Sequence, residues 1–146
     1  MYKRQLQYAG ALNSIFVVKA SKNTTDFENN KAIKIHERGL IELLPNKMPA
    51  AFFEGKSEGF TKTTVLLEKG DSIYSFSDGF ADQFGGIKDK KFMIKNFRKL
   101  LNSVAHLKMT EQEFLVSEAF YNWKGDTEQI DDVCVIGVKV DEDMAI

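Results

Sequence analysis

The sequence predicts an α+β fold in which two adjacent helices cover a largely antiparallel β-sheet. Short apolar or alternating segments separated by turn residues fill the first half of the chain. Two stretches between 90 and 125 have helical spacing of apolar residues, and the unbroken apolar segment 133–140 follows them. The chain has 146 residues, 43% of them hydrophobic, which fits one domain or a large piece of one.

The first half is predicted to be mainly β-structure because apolar and β-branched residues recur in short runs between polar turns. The polar segment 21–31 is expected to be an exposed hairpin loop, and Gly39 marks a turn or bulge. Gly70 and Asp71 are read as turn residues of a hairpin between the last two of these strands. The predicted strands are 6–9, 14–20, 32–37, a short strand at the start of 40–55, 60–67 and 72–77.

The second half is predicted to contain two helices and a final strand. Asp89 is expected to cap a helix over 90–105. Thr110 and Glu113 match a capping box for a second helix that ends at Gly125. Segment 133–140 is expected to be a central strand with Cys134 in its core. The predicted buried faces are Met93, Phe97, Leu100, Leu101 and Val104 in the first helix, and Leu115 or Val116, Ala119, Phe120 and Trp123 in the second.

Composition and charge exclude several classes of function. The formal net charge is −1, which argues against a basic nucleic-acid-binding surface. No apolar run reaches the ~18 residues of a transmembrane helix, so no membrane contact is expected. A single cysteine, Cys134, cannot form an internal disulfide, and we expect a cytoplasmic protein.

Two acidic clusters are candidates for chemistry. Asp78-Gly79 and then Asp82 follow the predicted strand 72–77, and Asp131-Asp132 precede the predicted strand 133–140. If these strands are neighbours, their carboxylates converge, and such oxygen ligands suit magnesium, manganese or calcium. Asp-Gly is also a common turn dipeptide, and Asp-Asp can be a solvated strand end. From the residues alone both interpretations stay open.

The order of motifs resembles a known family. YAGALNSIFVV, LLPNKMPA, GDSIYSFSDGFADQFGG and then W-K-G with EQIDDVCVIGVKV occur in that order. Over 6–140 this is similar to the C-terminal part of the SpoIIE/RsbU-type serine/threonine phosphatases of the PPM (protein phosphatase 2C-like) superfamily. The resemblance implies an antiparallel β-sandwich covered by helices.

The resemblance also implies a site and a reaction. Family members hydrolyse phosphoserine or phosphothreonine with two divalent ions, manganese or magnesium, in bacterial signalling. Asp78 and Asp131 match the family's metal ligands, Asp132 is a lesser candidate, and Asp82 is placed to reach a metal-bound water. Gly79 and Gly10 would lie near the site, and no catalytic side chain beyond the metal ligands is implied. The implied partner is a phosphoprotein, such as an anti-sigma-factor antagonist-like protein.

The sequence departs from the family in one important respect. Full family domains begin with a G-D-x-x-D motif and a D-G/V-x-G-x-G turn, whose aspartate bridges the metals, and neither occurs here. We therefore expect residues 1–140 to be the C-terminal portion of such a domain, inactive alone and prone to self-association, with 141–146 as a tail. Two alternatives stay open: a catalytically dead PPM-like protein-binding module, and an unrelated α+β ligand-binding domain whose Asp clusters are turns.

Overall fold

The computed structural model describes residues 4–51, 54–55 and 59–141. The chain divides into two compact units, one made of Met1–Ile73 with Lys139–Ile146 and the other of Tyr74–Val138. The predicted tail lies outside the described residues except for residue 141. None of the helices among the described residues has the length and hydropathy needed to cross a membrane.

The first unit contains two antiparallel sheets that share a core. In the first sheet β1 pairs with β5, and in the second β4 lies between β3 and β2. Val17, Ile41 and Leu43 of the second sheet pack with Val65 of the first. This layered arrangement agrees with the predicted sandwich. The strands are β1 (Gln5–Tyr8), β2 (Ile15–Val18), β3 (Ile33–Ile35), β4 (Leu40–Leu43) and β5 (Thr63–Leu66).

The hairpin predicted at 21–31 is wrong, although most of that segment is exposed. Strands β2 and β3 do not pair with each other, since each pairs with β4. The hairpin lies one connection later, where the short 3-10 turn Glu37–Gly39 joins β3 to β4. Arg38 (φ 58°) and Gly39 (φ 80°) both adopt positive φ there, which is the backbone conformation of tight hairpin loops.

The hairpin predicted between 60–67 and 72–77 is also wrong. Both segments form strands, β5 and β6 (Ser72–Phe76), but β5 pairs with β1 and β6 belongs to a different sheet. The turn itself is present, because the amide of Asp71 donates to the carbonyl of Glu68 at 3.1 Å. Asp71 is not a surface turn residue, however: its side chain is fully buried and pairs with Lys19 at the end of β2.

The second unit contains the helices and the ends of two strands. Strand β6 runs into it from the first unit, and its neighbour there is the final strand β9. The elements are the end of β6, α1 (Gly79–Asp82), β7 (Phe84–Gly85), β8 (Lys90–Lys91), α2 (Ile94–Val104), α3 (Met109–Lys124) and β9 (Val135–Lys139).

The final strand is an edge strand, so its prediction as central is wrong. It has β6 as its neighbour and lies at the end of its sheet. Ile136 is 58% exposed and Val138 39%, so the face of β9 on which both side chains lie is open to solvent. Cys134, expected in the core, precedes β9 and is exposed.

The first long helix begins later than predicted. Lys90 and Lys91 pair with Phe84–Gly85 as β8, and α2 starts only at Ile94. Asp89 therefore caps no helix: its amide donates to the carbonyl of Gly86, and it has φ 44° in the turn between β7 and β8. In α2, Phe97, Leu101 and Val104 are buried as predicted, whereas Leu100 is half-buried and Met93 exposed.

Helix α3 ends at Gly125 as predicted but begins one residue before Thr110. The residue that caps it is Glu111, whose carboxylate accepts the Lys108 amide at 3.0 Å. Its inner face carries Gln112, Val116, Ala119, Phe120 and Trp123. The rings of Phe80 in α1, Phe97 in α2 and Phe120 in α3 form the core, with centroids 4.7 Å apart for Phe80–Phe97 and 5.1 Å for Phe80–Phe120.

Candidate functional site

The two acidic segments lie side by side at the ends of neighbouring strands. Asp78 follows β6 and starts α1, and Asp131-Asp132 precede β9. The amide of Ser77 donates to the carbonyl of Cys134 at 2.9 Å, which extends the β6–β9 contact up to the acidic residues. The two strands are therefore neighbours, which is the condition for the expected convergence of the carboxylates, and the two segments meet in the backbone. Convergence of the carboxylates themselves stays a prediction.

The side chain of Ser77 holds the two segments together. Its hydroxyl donates to the carbonyl oxygen of Asp132 at 2.8 Å and accepts the amide of Cys134 at 2.9 Å. Both groups come from backbone 55 to 57 residues away, so no local sequence pattern indicates them as partners of Ser77. Ser77 thus serves as a bridge between the segments rather than as a nucleophile.

Gly79 allows a close approach of the chain. A Cβ atom at this position would lie 2.3 Å from the carbonyl oxygen and 2.9 Å from the carbonyl carbon of Asp132. Real side chains do not tolerate such distances, so a glycine is needed where the first turn of α1 meets the Asp132 peptide. The Asp-Gly pair is therefore more than a turn signal.

The carboxylates differ in their surroundings. Asp78, Asp131 and Asp132 are exposed, and Asp82 is half-buried. The Asp82 amide donates to the Asp78 carbonyl at 3.0 Å, so Asp82 stands one helical turn further on, as predicted. The Oδ1 atom of Asp82 lies 3.0 Å from Nζ of Lys91, an ion pair that was not anticipated.

The Asp131 carboxylate is engaged within its own loop. Its Oδ1 atom accepts the amide of Asp132 at 2.8 Å, and the carbonyl of Asp131 accepts Nε2 of Gln129 at 2.9 Å. These contacts fix the local shape of the loop and leave the carboxylate exposed to solvent. An exposed carboxylate at a strand end is accessible to a cation or a ligand.

Oxygen ligands of this type suit magnesium or manganese. Within the described residues, however, no three His, Cys, Asp or Glu side chains are grouped so that they can hold an ion. Asp82 is also neutralised by Lys91. The described residues therefore do not by themselves form a complete metal centre, although the chemistry of the carboxylates fits one.

Gly10 lies in the first unit and has a local role there. A Cβ atom on Gly10 would lie 1.8 Å from the hydroxyl oxygen of Tyr8, which donates to the carbonyl of Asn13. Glycine is thus needed for the Tyr8 side chain to fold over the chain. The placement of Gly10 near a phosphatase site stays a prediction.

An open cavity in the second unit borders the segment that carries Asp131 and Asp132, since Gln129 and Val133 line it. Its volume is about 640 Å³, and its walls include Tyr74, Met109, Val116 and Val135. None of the four predicted ligand carboxylates lines it. The acidic site is instead a surface feature at the strand ends.

One residue important for the site was missed by sequence analysis. Gln83 follows α1 directly, is only 1% exposed, and donates from Nε2 to the carbonyl of Glu128 at 3.0 Å. The available signal was weak: one of two polar residues, Asp82 and Gln83, between the apolar Phe80-Ala81 and Phe84.

Comparisons with known proteins agree with the fold. The family model of stage II sporulation protein E (SpoIIE) matches residues 3–141. No curated protein is significantly similar to the chain in sequence.

Two PP2C domains are among the solved structures that are similar to the chain. For the SiaA-PP2C domain of Pseudomonas aeruginosa the identity is 22% and the TM-score 0.74, over 95% of this chain and 48% of that one. For the PP2C phosphatase domain with a fragment of the regulatory domain of the cell fate determinant SpoIIE from Bacillus subtilis, the identity is 15% and the TM-score 0.63, over 95% of this chain and 35% of that one. The chain thus spans about half the length of the first structure and about a third of the second, and the likeness establishes its fold as part of a PPM-type fold.

Proposed function

Because the chain belongs to the SpoIIE family of phosphatase domains, we propose that it forms part of a metal-dependent protein serine/threonine phosphatase. The reaction would be hydrolysis of phosphoserine or phosphothreonine in bacterial signalling. Asp78 and Asp131 would help to hold divalent ions, which would supply the activation of a water for attack on the phosphoryl group.

One observation carries this proposal. The Asp78-Gly79 segment is packed against the Asp131-Asp132 segment through Ser77, whose hydroxyl bonds both the Asp132 carbonyl and the Cys134 amide. Two turns with no shared role need no such bridge across more than 50 residues of sequence. A metal-binding function gives a reason for the close approach at Gly79, because it brings the two acidic segments to one place.

We assign the residue roles as follows. Asp78 and Asp131 are the first candidates for metal ligands, because both are exposed and neither is ion-paired in the contacts described. Asp132 is a lesser candidate. Asp82 is the weakest of the four while Lys91 neutralises it. The ions would be manganese or magnesium, which share a preference for carboxylate and water oxygens.

The described residues bring together too few carboxylates for two ions. A two-metal site needs ligands that hold the ions ~3.5–4 Å apart, and one bridging carboxylate is the usual way to do so. We infer that turnover requires carboxylates beyond those that these residues group together. The 146-residue chain alone should therefore hydrolyse an aryl phosphate at a negligible rate.

The substrate and location are part of the proposal. A phosphoprotein, of the kind represented by an anti-sigma-factor antagonist, is the partner expected for this family. The chain's single cysteine and its lack of any disulfide are compatible with a reducing cytoplasm.

A second candidate function is a catalytically dead PPM-like binding module. The observation in its favour is the missing third acidic group among the described residues. In such a protein the packed acidic segments would be a structural feature inherited from active relatives. The biological role would depend on binding to other proteins.

The experiment that separates the two candidates measures phosphatase activity of the full-length gene product with manganese. Asp78→Asn and Asp131→Asn should each abolish turnover of a phosphopeptide. Asp126→Asn is the matched control, since Asp126 is an exposed acidic residue in the same connection. Activity that is absent from the full-length protein would support the binding module instead. Activity that survives in both ligand variants would remove Asp78 and Asp131 from the site.

A further inference from the structure

Gln83 is a buried polar residue that joins several segments around the acidic site. Its side chain is 1% exposed, and its Nε2 group donates to two carbonyls, that of Phe84 at 2.9 Å and that of Glu128 at 3.0 Å. The second of these bonds spans 45 residues and reaches the connection that leads to Asp131 and Asp132. Gln83 itself follows Asp82 without an intervening residue.

The main chain of Gln83 is held as firmly as its side chain. Its carbonyl accepts the indole Nε1 of Trp123 at 3.0 Å and the amide of Phe92 at 2.9 Å. Trp123 is in turn fixed at its carbonyl, which accepts the amide of Gly86 at 2.9 Å. Gln83 is therefore anchored to the end of α3, and its side chain has a defined position from which to hold another segment.

Ser77 and Gln83 stand on either side of Asp78 and α1, and both reach the connection 128–134. Ser77 bonds its later end at Asp132 and Cys134, and Gln83 bonds its earlier end at Glu128. Between these two points the bonds from Gln129 to Asp131 and from Asp132 to Asp131 are internal to the connection. Internal bonds shape the connection but do not fix it against α1.

We propose that Gln83 is a positioning residue that holds the 128–132 connection, and with it the Asp131 carboxylate, against the Asp78 segment. The positioning of a metal ligand rests on the proposed function, in which Asp131 is that ligand. The holding of the connection by Gln83 does not depend on it. The side-chain bonds of Ser77 and Gln83 act as two tethers of the connection. Ser77 fixes the end next to β9, and Gln83 fixes the end next to α3. With one tether removed, the connection can swing about the other.

The chemistry of the Gln83 amide fixes which substitution tests it. Nε2 makes both bonds, whereas Oε1 has no hydrogen-bond partner among the described residues. Methionine keeps the length and shape of the side chain but removes the donor, so Gln83→Met deletes the two bonds without losing a bond to Oε1. The variant breaks the part-buried bond to the Glu128 carbonyl, and loss of that bond favours local opening of the connection.

Gln112 provides a matched control. It is also buried, at 3% exposed, and its Nε2 also donates to two carbonyls, those of Ala105 at 3.3 Å and Leu107 at 2.9 Å. Its Nε2 bonds reach the connection between α2 and α3, and its Oε1 atom also accepts the hydroxyl of Tyr74 in β6 at 2.6 Å. None of these bonds touches the 128–132 connection, although Gln112→Met removes one bond more than Gln83→Met does. Gln112→Met thus carries the general cost of removing a buried amide, without the proposed positioning effect.

The test measures hydrogen exchange in the metal-free 146-residue chain. NMR detects the exchange at the backbone amides of Asp132 and Cys134. Gln83→Met should raise exchange at these amides about tenfold or more, whereas Gln112→Met should change it less than about twofold. Equal effects of the two variants would overturn the proposal. If Gln83→Met does not fold, exchange of the Gln83 side-chain amide protons in the unmodified chain decides: strong protection supports the tether, and rapid exchange overturns it.

A second measurement separates this inference from the proposed function. Manganese ions alone are added to the chain, and paramagnetic broadening of the Asp132 amide is recorded. Broadening that weakens in Gln83→Met but not in Gln112→Met supports positioning of a metal ligand. If manganese causes no broadening in the unmodified chain, the assignment of Asp131 as a ligand fails. Faster exchange of the Asp132 and Cys134 amides in Gln83→Met would still support the role of Gln83 in holding the connection.

Discussion

Gly79 lies directly against the main-chain carbonyl of Asp132, at a separation that leaves no room for a side chain: a Cβ atom would stand 2.3 Å from the oxygen. The two residues belong to the two acidic segments, which are more than 50 positions apart in the sequence. Their contact sets how closely Asp78 and Asp131 can be brought together.

Gly79→Ala is expected to destabilise the chain. The new methyl group would also meet Cγ2 of Val133 at 3.2 Å, so the Asp132–Val133 backbone must move away from α1. Overpacking of this kind costs about 1–3 kcal/mol of unfolding free energy. Urea denaturation of the purified chain measures it.

The control for this prediction is Gly137→Ala in β9. A Cβ atom there would lie 3.3 Å from Sδ of Met109 and 3.4 Å from the ring of Tyr74. The first contact is tight, but the flexible Met109 side chain can move by a few tenths of an ångström, whereas the Asp132 carbonyl at Gly79 is backbone. Its unfolding free energy should change by less than about 1 kcal/mol. Equal losses at both positions would mean that the Gly79 contact is not special.

Asp78→Asn and Asp131→Asn are expected to lower stabilisation by manganese in the full-length gene product. Without metal, the unfolding free energy should stay level or rise, because one of several neighbouring negative charges has been removed. Manganese at about 100 times its Kd should stabilise the unmodified protein by about 2.7 kcal/mol. In the two variants this increment should shrink, and thermal melting with and without manganese measures it.

Asp126→Asn again serves as the control for charge alone. If Asp126→Asn lost as much manganese stabilisation as Asp131→Asn, the ion would be attracted by the negative charge of the whole connection and not coordinated by Asp131. If Asp78→Asn or Asp131→Asn kept the full stabilisation by manganese, the residue replaced in that variant would not be a metal ligand.

Asp71→Asn is expected to be strongly destabilising. The Asp71 carboxylate is fully buried, pairs with the Lys19 ammonium, and accepts the amides of Ala20 and Glu68, each at 2.9 Å. Among the residues that the structure describes, an asparagine leaves the buried ammonium of Lys19 with the largely exposed Glu68 carboxylate, at 3.7 Å, as its counter-charge. Breaking one side of such a pair costs about 3–5 kcal/mol, which chemical denaturation can measure.

A double-mutant cycle tests the cause of that loss. With Lys19→Met in the background, no buried ammonium remains, so Asp71→Asn should cost clearly less than in the unmodified chain. The exposed Asp26→Asn, in the same unit, should be nearly neutral. If Asp71→Asn lowered the unfolding free energy equally in both backgrounds, the loss would come from the bonds to the Ala20 and Glu68 amides and not from the Lys19 pair.

Tyr8 is expected to make stability fall at alkaline pH. Burial raises the pKa of the Tyr8 hydroxyl, and the negative charge of Glu42 raises it further. Because the folded-state pKa lies above the unfolded value of about 10, this contribution is fully present below pH ~10. As the pH rises through the folded-state pKa, the unfolded chain loses its proton first and the contribution disappears.

Tyr8→Phe should flatten the decline of unfolding free energy above pH ~10, measured by urea denaturation at several pH values. At neutral pH it should cost about 1 kcal/mol, because the hydrogen bond to the Asn13 carbonyl is lost. Tyr121→Phe, at a side chain that is 66% exposed, is the control and should keep the original slope. An unchanged slope in Tyr8→Phe would refute the assignment.

The isolated chain is expected to self-associate. Ile136 and Val138 are exposed on the edge strand β9, and Phe114 (64%) and Tyr121 (66%) are exposed on α3. Open strand edges and apolar patches favour association with other chains. Light scattering should therefore show a mass that rises with protein concentration.

Ile136→Lys should lower that association, because a charge on an edge strand opposes pairing. Asn122→Lys adds the same charge at an exposed polar position of α3 and should have little effect. A clean monomer at all concentrations would contradict this prediction.

The sequence by itself determined the class of fold and most of its strands and helices. Apolar runs such as Ile15–Val18 must be buried, and the spacing of Phe97, Leu101 and Val104 suits only a helix with one inner face. These are local consequences of side-chain period and hydrophobicity. The motif order around Asp78 and Asp131 also indicated the family before any contact was known, as the SpoIIE match confirms.

Only the tertiary structure decided which strands pair and what holds the acidic segments. Pairing depends on contacts between distant residues, so the turn at Glu68–Asp71 joined strands of different sheets although its residues suit a hairpin. The same holds for Asp71, which has the residue type of a turn but is buried against Lys19. Ser77, Gly79 and Gln83 acquire their roles from backbone groups 45 or more residues away, and no local pattern records such partners.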